Sequence, residues 1–124
     1  MKRIMLLGSI AILLLNACGN KVQHFIAGTY ASHEVGEYST SDDTLIIQHY
    51  GDADGYRITR RSAYQAVRNG KLQPAKQQVH DYRGQFDAKT NVLLIAAKGK
   101  RIRFYPEQNS LLLNDREYRK ISQP

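Results

Sequence analysis

Apolar and polar positions divide the chain into three stretches. Met1-Lys2-Arg3 is a short cationic start, followed by an apolar run from Ile4 to Leu15 that only Gly8 and Ser9 interrupt. The run is shorter than the roughly twenty residues needed to span a bilayer as a helix. With its charged start and the small residues after it, it predicts a secretory signal peptide over 1–17, removed in the mature protein. A short tether over 18–25 follows. From residue 26 to 124 the pattern is that of strands and turns. Tyr56 and Ile58 alternate with Arg57 and Thr59, and His80, Tyr82, Gly84 and Phe86 share a face opposite Asp81, Arg83 and Gln85. Ile102 and Phe104 alternate with Arg101 and Arg103. Such period-two alternation is the signature of a strand with one buried face.

Other runs add to these. Gly28 to His33, Thr44 to Tyr50, Leu111 to Leu113 and Glu117 to Ile121 read as strands, and Val92 to Ala97 as a strand buried on both sides. Ser62 to Arg68 carries a weak helical face but equally continues the strand before it. Turn signals separate the runs: residues 51–55, Asn69-Gly70, 87–91, 98–100, 106–110 and Asn114-Asp115. Pro74 makes 71–78 the longest polar connection and argues against a central strand there. Short runs with turns at such spacing predict an all-β domain, a single antiparallel meander of six to eight strands. Folding that meander on itself would remove exposed edges.

Two resemblances sharpen this picture. Leu15-Asn16-Ala17-Cys18 resembles the lipobox of bacterial lipoproteins, with Asn16 where a smaller residue is commoner. The resemblance implies that Cys18 is lipidated through its sulfur and becomes the first mature residue. Gly19, rather than Asp, follows the cysteine, which by the rule of that family implies the outer membrane, with a periplasm-facing orientation favoured over surface display. An acylated cysteine with its thioether lipid anchors stably. The opening Gly28-Thr29-Tyr30, the Asp43-Thr44-Leu45-Ile46-Ile47 strand and the following hairpins resemble small lipocalin-like β-barrel lipoproteins, which implies a barrel or half-barrel over most of 26–121.

Composition and charge narrow the partners. The chain has a single cysteine, so once Cys18 carries lipid no intramolecular disulfide can staple the domain. Without Lys2 and Arg3 it holds 16 basic residues against 11 acidic ones. Acids concentrate before residue 55 and bases after it, which predicts either a positive binding surface or an acidic edge lying against a basic sheet. Nucleic acid is a poor partner for an exported lipoprotein, which leaves, beside the membrane reached through Cys18, anionic lipid, polysaccharide or an acidic envelope protein. A monomer is the favoured state.

Candidate chemistry is sparse. The histidines at 24, 33, 49 and 80 lack metal-ligand spacing, although His49 and His80 could converge across strands. His80 is expected to be half-buried. Asp52-Ala53-Asp54-Gly55 is a fragment of a calcium loop without its closing acid, and reads better as a hairpin turn. Asp42 and Asp43 face opposite ways on a strand and cannot converge on one substrate atom; Asp43 reads as a strand-entry residue. No cofactor, metal or enzymatic activity is expected.

The basic residues carry more. Tyr56, Arg57, Arg60, Arg61, Tyr64 and Arg68 form one group, and Lys100, Arg101 and Arg103 another. If adjoining in the sheet, they make a basic, tyrosine-bearing surface of the kind that binds proteins. The expected function is thus a lipid-anchored binding or assembly module. A carrier of a small apolar ligand, with a cavity lined by Tyr30, Ile47, Ile58, Tyr82 and Phe104, is the alternative. An inhibitor of cell-wall hydrolases ranks third.

Overall fold

A computed structural model describes residues 21–51 and 53–123. Cys18 and the leader predicted over 1–17 lie outside them. The described chain starts with a short helix, α1 (Lys21–Ile26), within the stretch read as a tether. Nine strands follow: β1 (Gly28–Val35), β2 (Ser39–His49), β3 (Gly55–Arg68), β4 (Lys71–Leu72), β5 (Lys76–Asp87), β6 (Val92–Ile95), β7 (Lys100–Tyr105), β8 (Ser110–Leu113) and β9 (Arg116–Ser122). Single 3-10 turns, Ala96–Lys98 and Pro106–Gln108, connect β6 to β7 and β7 to β8. All pairings are antiparallel, and eight strands close into an up-and-down barrel when β9 returns to β1. The two-residue β4 adds only to the end of β3.

Local chemistry sets the turns. Asn69 and Gly70 both have positive φ (54° and 74°), the pairing a two-residue type I′ hairpin requires. Asn91, Asn109 and Asn114 also take the left-handed region, which asparagine tolerates better than other residues with a side chain. Ser62 to Arg68 is strand, because Ser39–Asp43 of β2, Lys76–Gln78 of β5 and the short β4 flank it and supply its ladder bonds.

The period-two pattern places the core. Tyr30, Leu45, Ile47, Ile58, Leu93, Ile95, Ile102, Leu111 and Tyr118 are buried completely or almost so, and Tyr56, Phe86, Phe104 and Leu113 nearly so, in one cluster inside the barrel. The apolar run at 92–97 departs from expectation. Only Leu93 and Ile95 point inward; Leu94 is 40% exposed and the chain turns at Ala96. An antiparallel barrel strand has a solvent face, and here that face is apolar by composition rather than by burial.

One rim is plugged by α1. Ile26 is fully buried, and Phe25 meets the rings of Tyr30 and Phe104 edge-on at 5.7 and 6.3 Å. The helix is too short to bond its own last carbonyls, so the barrel supplies donors. Tyr30 Oη donates to the carbonyls of Phe25 (2.7 Å) and Ile26 (2.9 Å), and Lys120 Nζ donates to Phe25 O at 2.5 Å. Burial pushes the Tyr30 hydroxyl well above its ordinary pKa, aided by the nearby Tyr56, and pushes the Lys120 ammonium down. Tyr30→Phe removes these two bonds while keeping the ring. Urea denaturation should show a loss of about 1–2 kcal/mol, the cost of a buried acceptor left short of a donor.

The barrel wall is uneven in height. On the side of β6 to β9 the strands run four to seven residues, whereas β2, β3 and β5 run 11, 14 and 12. A tall wall therefore rises past the rim opposite α1.

Candidate functional site

At that opposite rim the inward face turns from apolar to ionic. Continuing the alternation of Ile47 and Leu45 brings Asp43 inside, and continuing Tyr56 and Ile58 brings Arg60 inside. Asp43 is 2% exposed. Its Oδ2 accepts from Arg60 Nε at 2.9 Å, from Arg60 Nη2 at 2.5 Å and from Tyr118 Oη at 2.7 Å. Arg116 Nη1 approaches the same oxygen to 3.6 Å and reaches Glu34 at the same distance. Its Nε donates to Ser32 Oγ at 2.9 Å, and its Nη2 meets the carbonyls of Ser32 and Ser41 at 3.4 Å. Burial opposes ionisation of Asp43, but the bonds from Tyr118 and Arg60, with the Arg60 charge, outweigh it and hold the carboxyl below its usual range. Burial, then the bond to Asp43, raises the Tyr118 hydroxyl. The cluster joins β1, β2, β3 and β9 at the mouth, and every charge in it has a partner.

This explains the charge asymmetry along the chain. The acidic segment lies against the basic remainder: Asp43 on Arg60, Glu34 near Arg116, with His33 and Asp42 pairing on the outside. The asymmetry marks a contact within the fold.

The structure distributes the nine predicted surface residues over both faces. Tyr56 is a core residue, 2% exposed, and Arg60 is the buried-ion partner. Lys100 points into the mouth, where Nζ lies 3.4 Å from Tyr82 Oη and 4.9 Å above its ring. On the outside are Arg57, Arg61, Arg101 and Arg103, whereas Tyr64 and Arg68 stand near the top of the tall wall. Arg57 pairs with Asp81 at 3.3 Å, and Thr59 Oγ1 donates to the same carboxylate at 2.8 Å. Those two bonds hold the exposed Asp81 carboxyl below its usual range. The two outer basic groups do not touch directly, since β5 and β6 separate β3 from β7. Arg83 bridges the interval: it faces Arg57 across the ladder and stacks over Tyr50 at 4.0 Å.

The remaining candidates separate. His80 is exposed rather than half-buried, stacked on Tyr82 with ring centroids 6.1 Å apart. His49 instead lies 4.6 Å from the Tyr56 ring. Among the described residues no three His, Cys, Asp or Glu side chains converge as metal ligands. Ala53-Asp54 form the β2–β3 turn, closed by Tyr50 N–H donating to Gly55 O at 3.0 Å; Asp52 lies outside the described residues.

The end of the barrel opposite α1 also exposes apolar side chains, Val35 (72%) of β1, Tyr38 (71%) before β2, Leu72 (62%) of β4 and Val79 (61%) of β5, with Tyr64 beside Arg68 and Lys76. No protein-family model, no curated protein and no solved structure matches this chain.

Proposed function

We propose that this protein is a lipid-anchored, non-enzymatic module of the bacterial envelope that binds an envelope protein partner. The carrying observation is the end of the barrel opposite α1, where Val35 of β1, Tyr38 before β2, Leu72 of β4 and Val79 of β5 are exposed. Several large apolar side chains left in solvent at one end of a small domain mark that end as an interaction surface. The filled interior argues against a carrier. Tyr30, Ile47, Ile58 and Phe104, which would line a cavity, pack into the continuous core, with Tyr82 against it.

The anchor and the wall are compatible. Cys18 precedes α1 by three residues in the sequence, so a lipid there would enter at the plugged rim. The tall wall, at the other rim, would then face away from the membrane, in this reading the periplasmic face of the outer membrane.

Two experiments test the proposal. Cys18→Ala should abolish palmitate labelling and move the protein to the soluble fraction; continued labelling would sink the anchor. Cross-linking and pull-down from membranes should recover a specific envelope protein with the native chain and lose it with the Cys18→Ala variant. Recovery of nothing specific, with both forms monomeric, defeats the binding module.

A further inference from the structure

Closure of the barrel does not remove every strand edge. β5 pairs with β3 along Lys76–Gln85, but with β6 only through Gln85–Asp87. Among the described residues, Lys76 to Gly84 therefore has one ladder and one free side. Phe86 N–H donates to Asp54 O on the β3 side, so in a regular antiparallel ladder the even-numbered residues of β5 bond to β3. Gln77, Val79, Asp81 and Arg83 present their N–H and C=O groups to the free side. The corresponding end of β1 is different: Arg116 covers it, bonding the side chain and carbonyl of Ser32.

The free side of β5 stands above the low wall. Beneath it the chain leaves β6 into the turn Ala96–Lys98, and Lys100 returns to reach Tyr82. A strand laid along β5 would sit over this turn, between the tall wall and the low one. The charged groups along and beneath it are Lys76, Arg83, Lys98 and Lys100, with His80 and with Asp81, the one acid within Lys76–Gly84, already bonded by Arg57 and Thr59. This edge is cationic. A second copy would lay this cationic edge against an equally cationic one, and like charges on facing strands oppose pairing.

Resting on the binding function above, we infer that the partner docks by strand addition: an extended acidic segment of a protein adds to the free edge of β5. Main-chain bonds to Gln77, Val79, Asp81 and Arg83 hold it, and the lysines and Arg83 select its charge. Exposed Val79 offers one apolar contact on the outer face.

The test uses the full chain in detergent and two synthetic peptides, one alternating Glu and Val, the other Lys and Val. Hydrogen exchange should slow roughly tenfold or more at the amides of residues 77, 79, 81 and 83 with the acidic peptide and not with the basic one. Val79→Pro removes a donor from the free side without breaking the β3 ladder, and should abolish this protection. Lys76→Glu with Arg83→Glu, which leaves the backbone alone, should weaken binding about tenfold or more. Protection elsewhere, or binding indifferent to both variants, overturns strand addition. So does concentration-dependent protection without peptide, which would assign the edge to a second copy. If the membrane pull-down recovers a partner that Val79→Pro still captures, the binding module stands and this inference fails. An empty pull-down removes the module itself.

Discussion

Asp43→Ala is expected to destabilise the barrel by about 3 kcal/mol, the typical cost of removing one member of a buried ion pair. The loss is large because three donors converge on that carboxylate. Arg60 and Arg116 are only 24% and 18% exposed, so water cannot replace Asp43 at little cost, and the buried Tyr118 hydroxyl loses its acceptor. Asp43→Asn keeps an acceptor for Tyr118 and should lose less. The pH dependence has a fixed sign. The native carboxyl titrates below its usual range, so folding favours the ionised form. Its contribution is complete above the unfolded value of about 4 and declines as pH falls through and below it. Urea midpoints of the native protein and Asp43→Asn should therefore converge on acidification below about pH 4. A gap that stays constant with pH would refute the charge-based account.

Gly28→Ala is expected to cost about 2–4 kcal/mol, far more than removing a glycine from an exposed turn. A β-carbon there would lie 2.5 Å from Lys120 Cε and 2.7 Å from the Ser122 carbonyl oxygen, at a φ of +150° that side chains disfavour. Lysine could move, but Ser122 O is backbone. The strain falls where β1 meets β9, a seam that spans only Thr29–Ala31 and already carries a register shift. Gly70→Ala is the control: its φ is +74°, yet nothing lies within 4 Å, so only the conformational penalty of about 1 kcal/mol applies. Equal denaturation midpoints for the two variants would exclude the steric cause.

The barrel was legible because its code is local. Alternation at Tyr56/Ile58, Tyr82/Phe86 and Ile102/Phe104 assigns inward faces, and Asn69-Gly70 marks a turn through its own backbone chemistry. The unequal wall was not legible, since strand length beyond the core depends on which neighbour supplies hydrogen bonds. The helix at Lys21–Ile26 escaped notice for a related reason: its final carbonyls are satisfied by Tyr30 and by Lys120, which is 95 residues from Phe25. The buried ion cluster could have been found. Asp43 shares the parity of Leu45 and Ile47, Arg60 that of Tyr56 and Ile58, and opposite charges at inward parity on successive strands signal a paired interior. Tyr56 has that same inward parity, which is why it is core and not surface.

The seam between β1 and β9 also governs the order of events as the chain is made. Each hairpin of the meander joins strands close in sequence and can form as soon as both have emerged. The ring cannot. Its last ladder unites the first strand synthesised with the last, and this single pairing carries the longest loop in the fold. Until Arg119 arrives, β1 offers a row of unsatisfied backbone groups to anything nearby, and Arg116 has not yet covered Ser32. A chain lacking β9 is an open sheet with an unpaired β1 edge, the state most prone to aggregate.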